Sequence, residues 1–283
     1  MNTPFLYVTL VPLLLSLSLS AQPLMSPLKS PQSVPADERV ENFTGKTVLV
    51  FTPHPDDETF SMGGTLARLT STGNTVHIAI YTNDNKGSLD PEMTRERLAA
   101  IRRAEEEKSS AILGIPASNI HWLGYEDGDL EYAEPRILRG EAARLIKRYR
   151  PDAVFAPDPG STSVQWHKTD HRMAASITTD ALLAAEWHLY YPHHRLDEKL
   201  EPFHVKQVYY FYAQEPDYEV DLKPFLEVKI KAAQAHVSQF EPSLSRYSSL
   251  LDPKTAAAIK ERFAALHGCP SGPCAERFRR VEN

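Results

Sequence analysis

Lys46-Thr47-Val48-Leu49-Val50-Phe51, running through Thr52 into Pro53-His54-Pro55-Asp56-Asp57-Glu58, decides how this chain is read. The first half is a short β-branched apolar run, the pattern of an interior strand. The second half stops that run with two prolines. Thr59 to Leu69 then reads as a helix containing Gly63 and Gly64. A buried strand feeding directly into a helix is the unit of an open α/β sheet, where chemistry collects beyond the carboxyl ends of the strands. One histidine and three acids at that point make a candidate site for a hard or borderline metal ion.

The alternation continues outward. Strands are expected at 46–52, 75–81, 119–123, 152–156 and 205–212, with helices at about 58–72, 94–113, 134–149 and 170–187 between them. Two further helices, at about 222–240 and 253–266, close the chain. This order implies right-handed βαβ units and a mostly parallel, Rossmann-like α/β sheet flanked by helices in a single layered domain. Residues 188–204, rich in His, Tyr and Pro, read as a long loop bordering the site. Trp187, Tyr190 and Tyr191 there suit stacking on a sugar or simple packing.

The residue types fit metal chemistry. Zinc takes imidazole nitrogen at about 2.0–2.1 Å and carboxylate oxygen at about 2.0–2.2 Å, and its catalytic sites use about three protein ligands. His54 and Asp57, three apart across a strand-to-helix turn, can both reach one ion. Asp56 between them is then free as a general base toward water beside the ion. An Asp at this place can also simply cap the helix. The third ligand is sought after the strand Ala153-Val154-Phe155-Ala156-Pro157, in Trp166-His167-Lys168-Thr169-Asp170-His171-Arg172. Parallel strands would bring both loops to one sheet edge. His171 is then the natural third ligand, with Asp170 orienting it or a neighbouring group. Read alone, His167 and His171 at i and i+4 are equally surface histidines on one helical face.

These residues resemble the PIG-L/LmbE family of zinc-dependent N-acetylglucosaminyl deacetylases, over about Lys46 to Gln239. The first motif matches the family's (P/A)-H-P-D-D-E. Arg102-Arg103-Ala104-Glu105 with Ile112-Leu113-Gly114-Ile115 resembles its Arg-x-x-Glu…Leu-Gly-Val helix. Leu123-Gly124-Tyr125-Glu126-Asp127-Gly128 resembles its Leu-x-x-x-Asp-Gly turn, and Thr169-Asp170-His171-Arg172 the end of its His-Pro-Asp-His-Arg motif. Ala235-His236-Val237-Ser238-Gln239 resembles its His-x-Ser-Gln segment. The resemblance implies one zinc ion per chain on His54, Asp57 and His171, with Asp56 as the general base. It also implies Arg102 and Asp127 on the substrate side. Arg102 reads otherwise as a surface arginine paired with Glu105 or Glu106, Asp127 as a turn former, and His236 as a satisfied core histidine. One departure stands out. Where the family has a histidine three residues before the third ligand, to stabilise the oxyanion, this chain has Lys168. The nearest histidine, His167, is one residue earlier. On a helix one residue turns about 100°, so His167 reaches the site only from a loop, while Lys168 can act there as a cation.

The ends bear on location. Phe5 to Leu19 is an apolar run, and Ser18-Leu19-Ser20 before Ala21 supplies small residues for cleavage, so residues 1–20 read as a signal peptide. That predicts export to a periplasmic or extracellular space; the alternative is an uncleaved membrane anchor, though the run is short for a span of about 20 residues. Residues 21–40 read as a Pro-rich linker, and 41–283 as the deacetylase-like domain. Cys269 and Cys274, separated by Pro and Gly, are expected to form a disulfide in an oxidising compartment; half of a zinc knuckle lacks partner cysteines. A formal charge of −6 over 283 residues without a basic cluster argues against a nucleic-acid partner, and no stable membrane insertion is expected after signal removal. The function expected is removal of an acetyl group from an N-acetylglucosamine-type small molecule or glycoconjugate, by metal-activated water attacking the acetamide carbonyl. The alternatives are a hydrolase of another amide-bearing conjugate using the same site, and a non-catalytic sugar-binding protein. The loops at 84–93, 158–168 and 188–204 would set the aglycone.

Overall fold

The computed structural model of the protein describes residues 34–160, 168–269 and 271–283. The expected signal peptide, most of the linker and His167 lie outside these residues. The apolar runs form β1 (Thr47–Thr52), β2 (Thr75–Thr82), β3 (Ile120–Tyr125), β4 (Ala153–Pro157) and β5 (Gln207–Phe211). β1 lies between β2 and β4, with β3 outside β2 and β5 outside β4, all paired in parallel. The strand order thus reverses direction at β1/β4, the switch point where such sheets open a crevice.

Side chains alternate across the sheet, as the pleat requires. Val48, Val50, Ile78, Ile80, Phe155 and Tyr209 face one layer of the core, while Leu49, Phe51, Tyr81, Val154 and Val208 face the other. The first layer is covered by α1 (Asp57–Ser71) and α2 (Arg95–Ile112), with α6 (Leu226–Ala233) and α7 (Pro253–Leu266) behind; the second by α3 (Pro135–Tyr149) and α4 (Thr169–Glu186). A short α5 (Pro192–Leu196) begins at a proline inside the stretch expected to be loop. Tyr191 of that stretch packs on α3, donating to the Arg136 carbonyl at 2.7 Å and stacking on His194. The packing role, rather than sugar stacking, describes it.

Two strands escape the sequence pattern. β7 (Ala275–Glu282) runs antiparallel to both β5 and β6 (Tyr218–Asp221). β6 has only four residues, and β7 reads as charged because Glu276 and Arg280 point inward to buried partners. The single helix expected at 222–240 is instead a 3₁₀ turn at Lys223–Phe225, α6, and a second 3₁₀ turn at Val237–Gln239. Among the described residues no helix is long and apolar enough to cross a membrane. Cys269 and Cys274 are bridged, with their Cα atoms 4.6 Å apart.

Candidate metal centre and active site

The carboxyl-terminal ends of all five parallel strands supply the crevice. After β1, Thr52 Oγ1 donates to the His54 carbonyl at 3.1 Å and turns the chain. Asp56 then stands just before α1 without a side-chain capping bond, at φ 147°, a conformation that L-residues rarely adopt and that needs surrounding structure to hold it. The strain sets two adjacent aspartates on different tasks. Asp57, the first helical residue, points its Oδ2 at His54 Nδ1 (3.0 Å) and at His171 Nε2 (3.2 Å). His171 comes from the first turn of α4, which follows β4, so the two loops do meet at the sheet edge.

The tautomer of His54 follows from its other side. Nε2 lies 3.1 Å from Asp170 Oδ2 and 3.2 Å from Asp127 Oδ1. Asp170 is itself fixed, accepting from Gly128 N at 2.6 Å and Leu130 N at 3.1 Å. A proton on Nε2 serves these two carboxylates and leaves Nδ1 bare against Asp57. His171 Nε2 is buried without a hydrogen-bond partner. Two imidazole nitrogens and one carboxylate oxygen therefore converge within 4.8 Å of one another. Facing lone pairs repel unless a proton or a cation sits among them. The donor set suits a borderline divalent ion held by His54, Asp57 and His171.

Electrostatics agree. Burial alone would lower the His54 pKa, but hydrogen bonds to Asp127, Asp170 and Asp57 push it well above the usual value. Burial, with the charges of Asp57 and Asp84, raises Asp56 well above an ordinary carboxyl. Asp57 goes the other way: burial opposes it, yet the two histidines hold it well below. Asp127 is drawn down to about 2, against burial, chiefly by its bond to His54.

The other expected residues divide. Asp127 is at the site and also holds the 84–93 loop, accepting from Lys86 N at 3.1 Å. Arg102 is not a surface residue paired with Glu105 or Glu106; it is 2 % exposed. Its guanidinium bonds Asp84 and donates to the Gly87 carbonyl at 2.5 Å. Arg103 is the exposed one, paired with Glu107 and lying over Trp122. Glu105 instead accepts from Ser238 N and Oγ at 2.9 and 2.7 Å, and Gln239 donates to Asp84 at 2.8 Å. The Arg-x-x-Glu and Ser-Gln motifs thus form one frame behind the crevice. Lys168 is exposed and precedes α4 with a non-helical backbone (φ −51°, ψ 153°), so the helix begins at Thr169.

Two site residues escaped the sequence reading. Asp84 follows β2, and Tyr212 follows β5. Tyr212 donates its hydroxyl to Asp57 Oδ1 at 3.0 Å and stacks its ring on His171, 5.8 Å between centroids. The available signal was position: both stand at the carboxyl ends of parallel strands, the edge that already carried His54.

The profile of the family described as GlcNAc-PI de-N-acetylase matches residues 49–182. Diacetylchitobiose deacetylase of Thermococcus kodakarensis is 35% identical over 197 residues, 69% of this chain and 70% of that protein. A 1D-myo-inositol 2-acetamido-2-deoxy-alpha-D-glucopyranoside deacetylase of Mycobacterium sp. (strain KMS) is 25% identical over 260 residues, 78% of this chain and 83% of that one. Among solved structures, N,N'-diacetylchitobiose deacetylase from Pyrococcus horikoshii superposes with a TM-score of 0.72 at 29% identity, covering 87% of this chain and 90% of that one.

Proposed function

The chain belongs to the GlcNAc-PI de-N-acetylase (PIG-L) family, and from that premise we propose that it is a zinc-dependent N-deacetylase of small amino-sugar substrates. The observation that carries this reading is the convergence of His54 Nδ1, Asp57 Oδ2 and His171 Nε2 at the β1/β4 switch point. One zinc ion per chain held there would polarise the acyl carbonyl and acidify water beside it.

The chain's own residues do the rest. Asp56, with its carboxylate raised in pKa by burial and by neighbouring carboxylates, takes the proton of the attacking water and returns it to the leaving amine nitrogen. Asp170 holds His54 in the tautomer that leaves Nδ1 free, and Tyr212 holds the second oxygen of Asp57. Arg102 fixes the loop carrying Asp84 and Gly87 beside Asp127, where the sugar hydroxyls would enter. Lys168, exposed and three residues before His171, is the cation that this segment offers to the oxyanion formed at the carbonyl. Export is part of this reading, supported by the apolar N-terminal run and the bridged cysteines.

The test is incubation of the purified protein with N-acetylglucosamine, N,N'-diacetylchitobiose and N-acetylglucosaminides of inositol and malate, read by mass spectrometry. Loss of one acetyl group with a new free amine is the expected result. No deacetylation of any of them by zinc-loaded protein would overturn the reading.

A further inference from the structure

A second convergent cluster lies behind the metal centre. Glu58 comes from the first turn of α1, Glu106 from the middle of α2, and His236 from the segment after α6. One carboxylate oxygen from each glutamate and one ring nitrogen of His236 lie within 4.8 Å of one another. All three residues are at most 1 % exposed. Glu106 Oε2 and His236 Nε2 are 3.9 Å apart, and neither has a hydrogen-bond partner.

The bonds these carboxylates do accept come from neutral groups. Glu58 accepts from Thr59 Oγ1 at 2.7 Å and Asp56 N at 3.4 Å, and Glu106 from Ser110 Oγ at 2.7 Å. The buried cations nearby serve others: Arg102 bonds Asp84, and Lys229 bonds Glu276. Burial, with the charge of Arg102, lowers His236 to about 3, so its imidazole is neutral and able to offer a lone pair. Two adjacent buried carboxylates need either a shared proton or a cation. A proton would neutralise one of them, whereas a cation would neutralise both and also take the lone pair that His236 Nε2 can offer.

We propose that Glu58, Glu106 and His236 form a second divalent-cation site, structural in role, taking a first-row ion such as Zn²⁺ or Mn²⁺ through two carboxylate oxygens and one imidazole nitrogen. An ion about 2.0–2.2 Å from each donor would set the donors roughly 3–3.5 Å apart, a small contraction from the 3.9 Å between Glu106 Oε2 and His236 Nε2 and the 4.8 Å that bounds the set. Its two charges offset both glutamates. The ion would cross-link α1, α2 and the segment after α6, the elements that surround the helix start carrying Asp57.

Metal stoichiometry tests this. The full chain is produced with added Zn²⁺ or, separately, Mn²⁺, dialysed against metal-free buffer and analysed for bound metal. With one of the two ions we expect two equivalents in the wild type, one in Glu106→Gln, one in Asp57→Asn and none in the double variant. Because Asp57→Asn reads the first centre alone, failure of that centre and failure of this one are distinguishable. Should Glu106→Gln not fold, His236→Gln and anomalous diffraction from wild-type crystals at the metal edge give the same reading. The proposal is overturned by a wild type that holds one equivalent lost in Asp57→Asn, or by two equivalents unchanged in Glu106→Gln. A shared proton would give the first of these results, with Glu106→Gln at least as stable as the wild type.

Discussion

Replacing Glu276 by Gln tests how the helix that presents Asp57 is held. α1 is bent at Met62, whose φ of −139° is not helical. The second segment therefore begins with its own unpaired N–H groups, which point at Glu276 of β7. Glu276 accepts from Gly64 N at 2.8 Å, Thr65 N at 2.6 Å, Thr65 Oγ1 at 2.6 Å and Lys229 Nζ at 2.6 Å. Both members of the ion pair are fully buried. A glutamine keeps the shape and one acceptor oxygen but strands the Lys229 ammonium in the core. Removing one partner of such a pair costs about 3–5 kcal/mol. For a domain of this size each 1 kcal/mol lowers Tm by about 2–4 °C, so a fall of roughly 6–20 °C is expected.

The pH dependence has a definite sign. Burial alone would raise Glu276, but Lys229 and the hydrogen bonds lower it below 4.5. Its stabilisation is therefore complete above about 4.5 and lost as pH falls through the lower folded value. Lys229 is lowered by burial even with Glu276 beside it. Without that partner it falls further, so the unfolded chain binds more protons between the folded value and about 10.4. Stability of Glu276→Gln should accordingly rise with pH across that window. Adding Lys229→Met removes the stranded charge and should restore most of the loss. Urea unfolding followed by tryptophan fluorescence measures all of this. A loss under about 1 kcal/mol, no alkaline slope and no recovery in the double variant would refute the reasoning.

Asp56→Asn should keep its metal while kcat falls by about 10²–10⁴, whereas Asp57→Asn should lose metal and activity together; metal analysis with steady-state kinetics separates them, and the opposite pattern would exchange their roles. Asp170→Asn, which weakens the hold on His54 Nε2, should lower metal affinity by about 10–100-fold, measured by competition with a chelating dye. Thiol titration of the unfolded, unreduced protein should find no free cysteine, given the Cys269–Cys274 bridge; two reactive thiols would remove it.

Local pattern carried the parallel half of the sheet. β1, β2, β4 and β5 end within a few residues of where apolar runs place them, because a strand buried on both faces has few polar positions to confuse it; the half-buried edge strand β3 was still marked by Ile120, Trp122 and Leu123. β7 was hidden by its own function: Glu276 and Arg280 make a core strand look like surface. Nothing within a few residues of Glu276 announces Gly64 or Lys229, since the link exists only once the sheet has formed. The same reason hid Tyr212, whose partner Asp57 is 155 residues away. The expected ligands came together because both loops follow parallel strands, a relation that the order of elements already implies.

The charge distribution of the crevice also constrains the chemistry. Asp56, Asp57, Asp84 and Asp170 are buried, and Asp127 is nearly so, with Arg102 as the buried cation facing Asp84. Two like charges 4 Å apart repel by about 4 kcal/mol at an effective dielectric constant of 20. His54 is therefore pushed toward its protonated form when no cation is present, against burial, by its bonds to Asp127, Asp170 and Asp57. A divalent ion at Nδ1 of His54 would replace that proton and leave Asp56, whose carboxylate touches neither histidine at ion-pair distance, to handle protons alone. Two adjacent aspartates with opposed pKa shifts are what a metal ligand beside a general base requires. The strained φ of Asp56 is the backbone device that turns them apart.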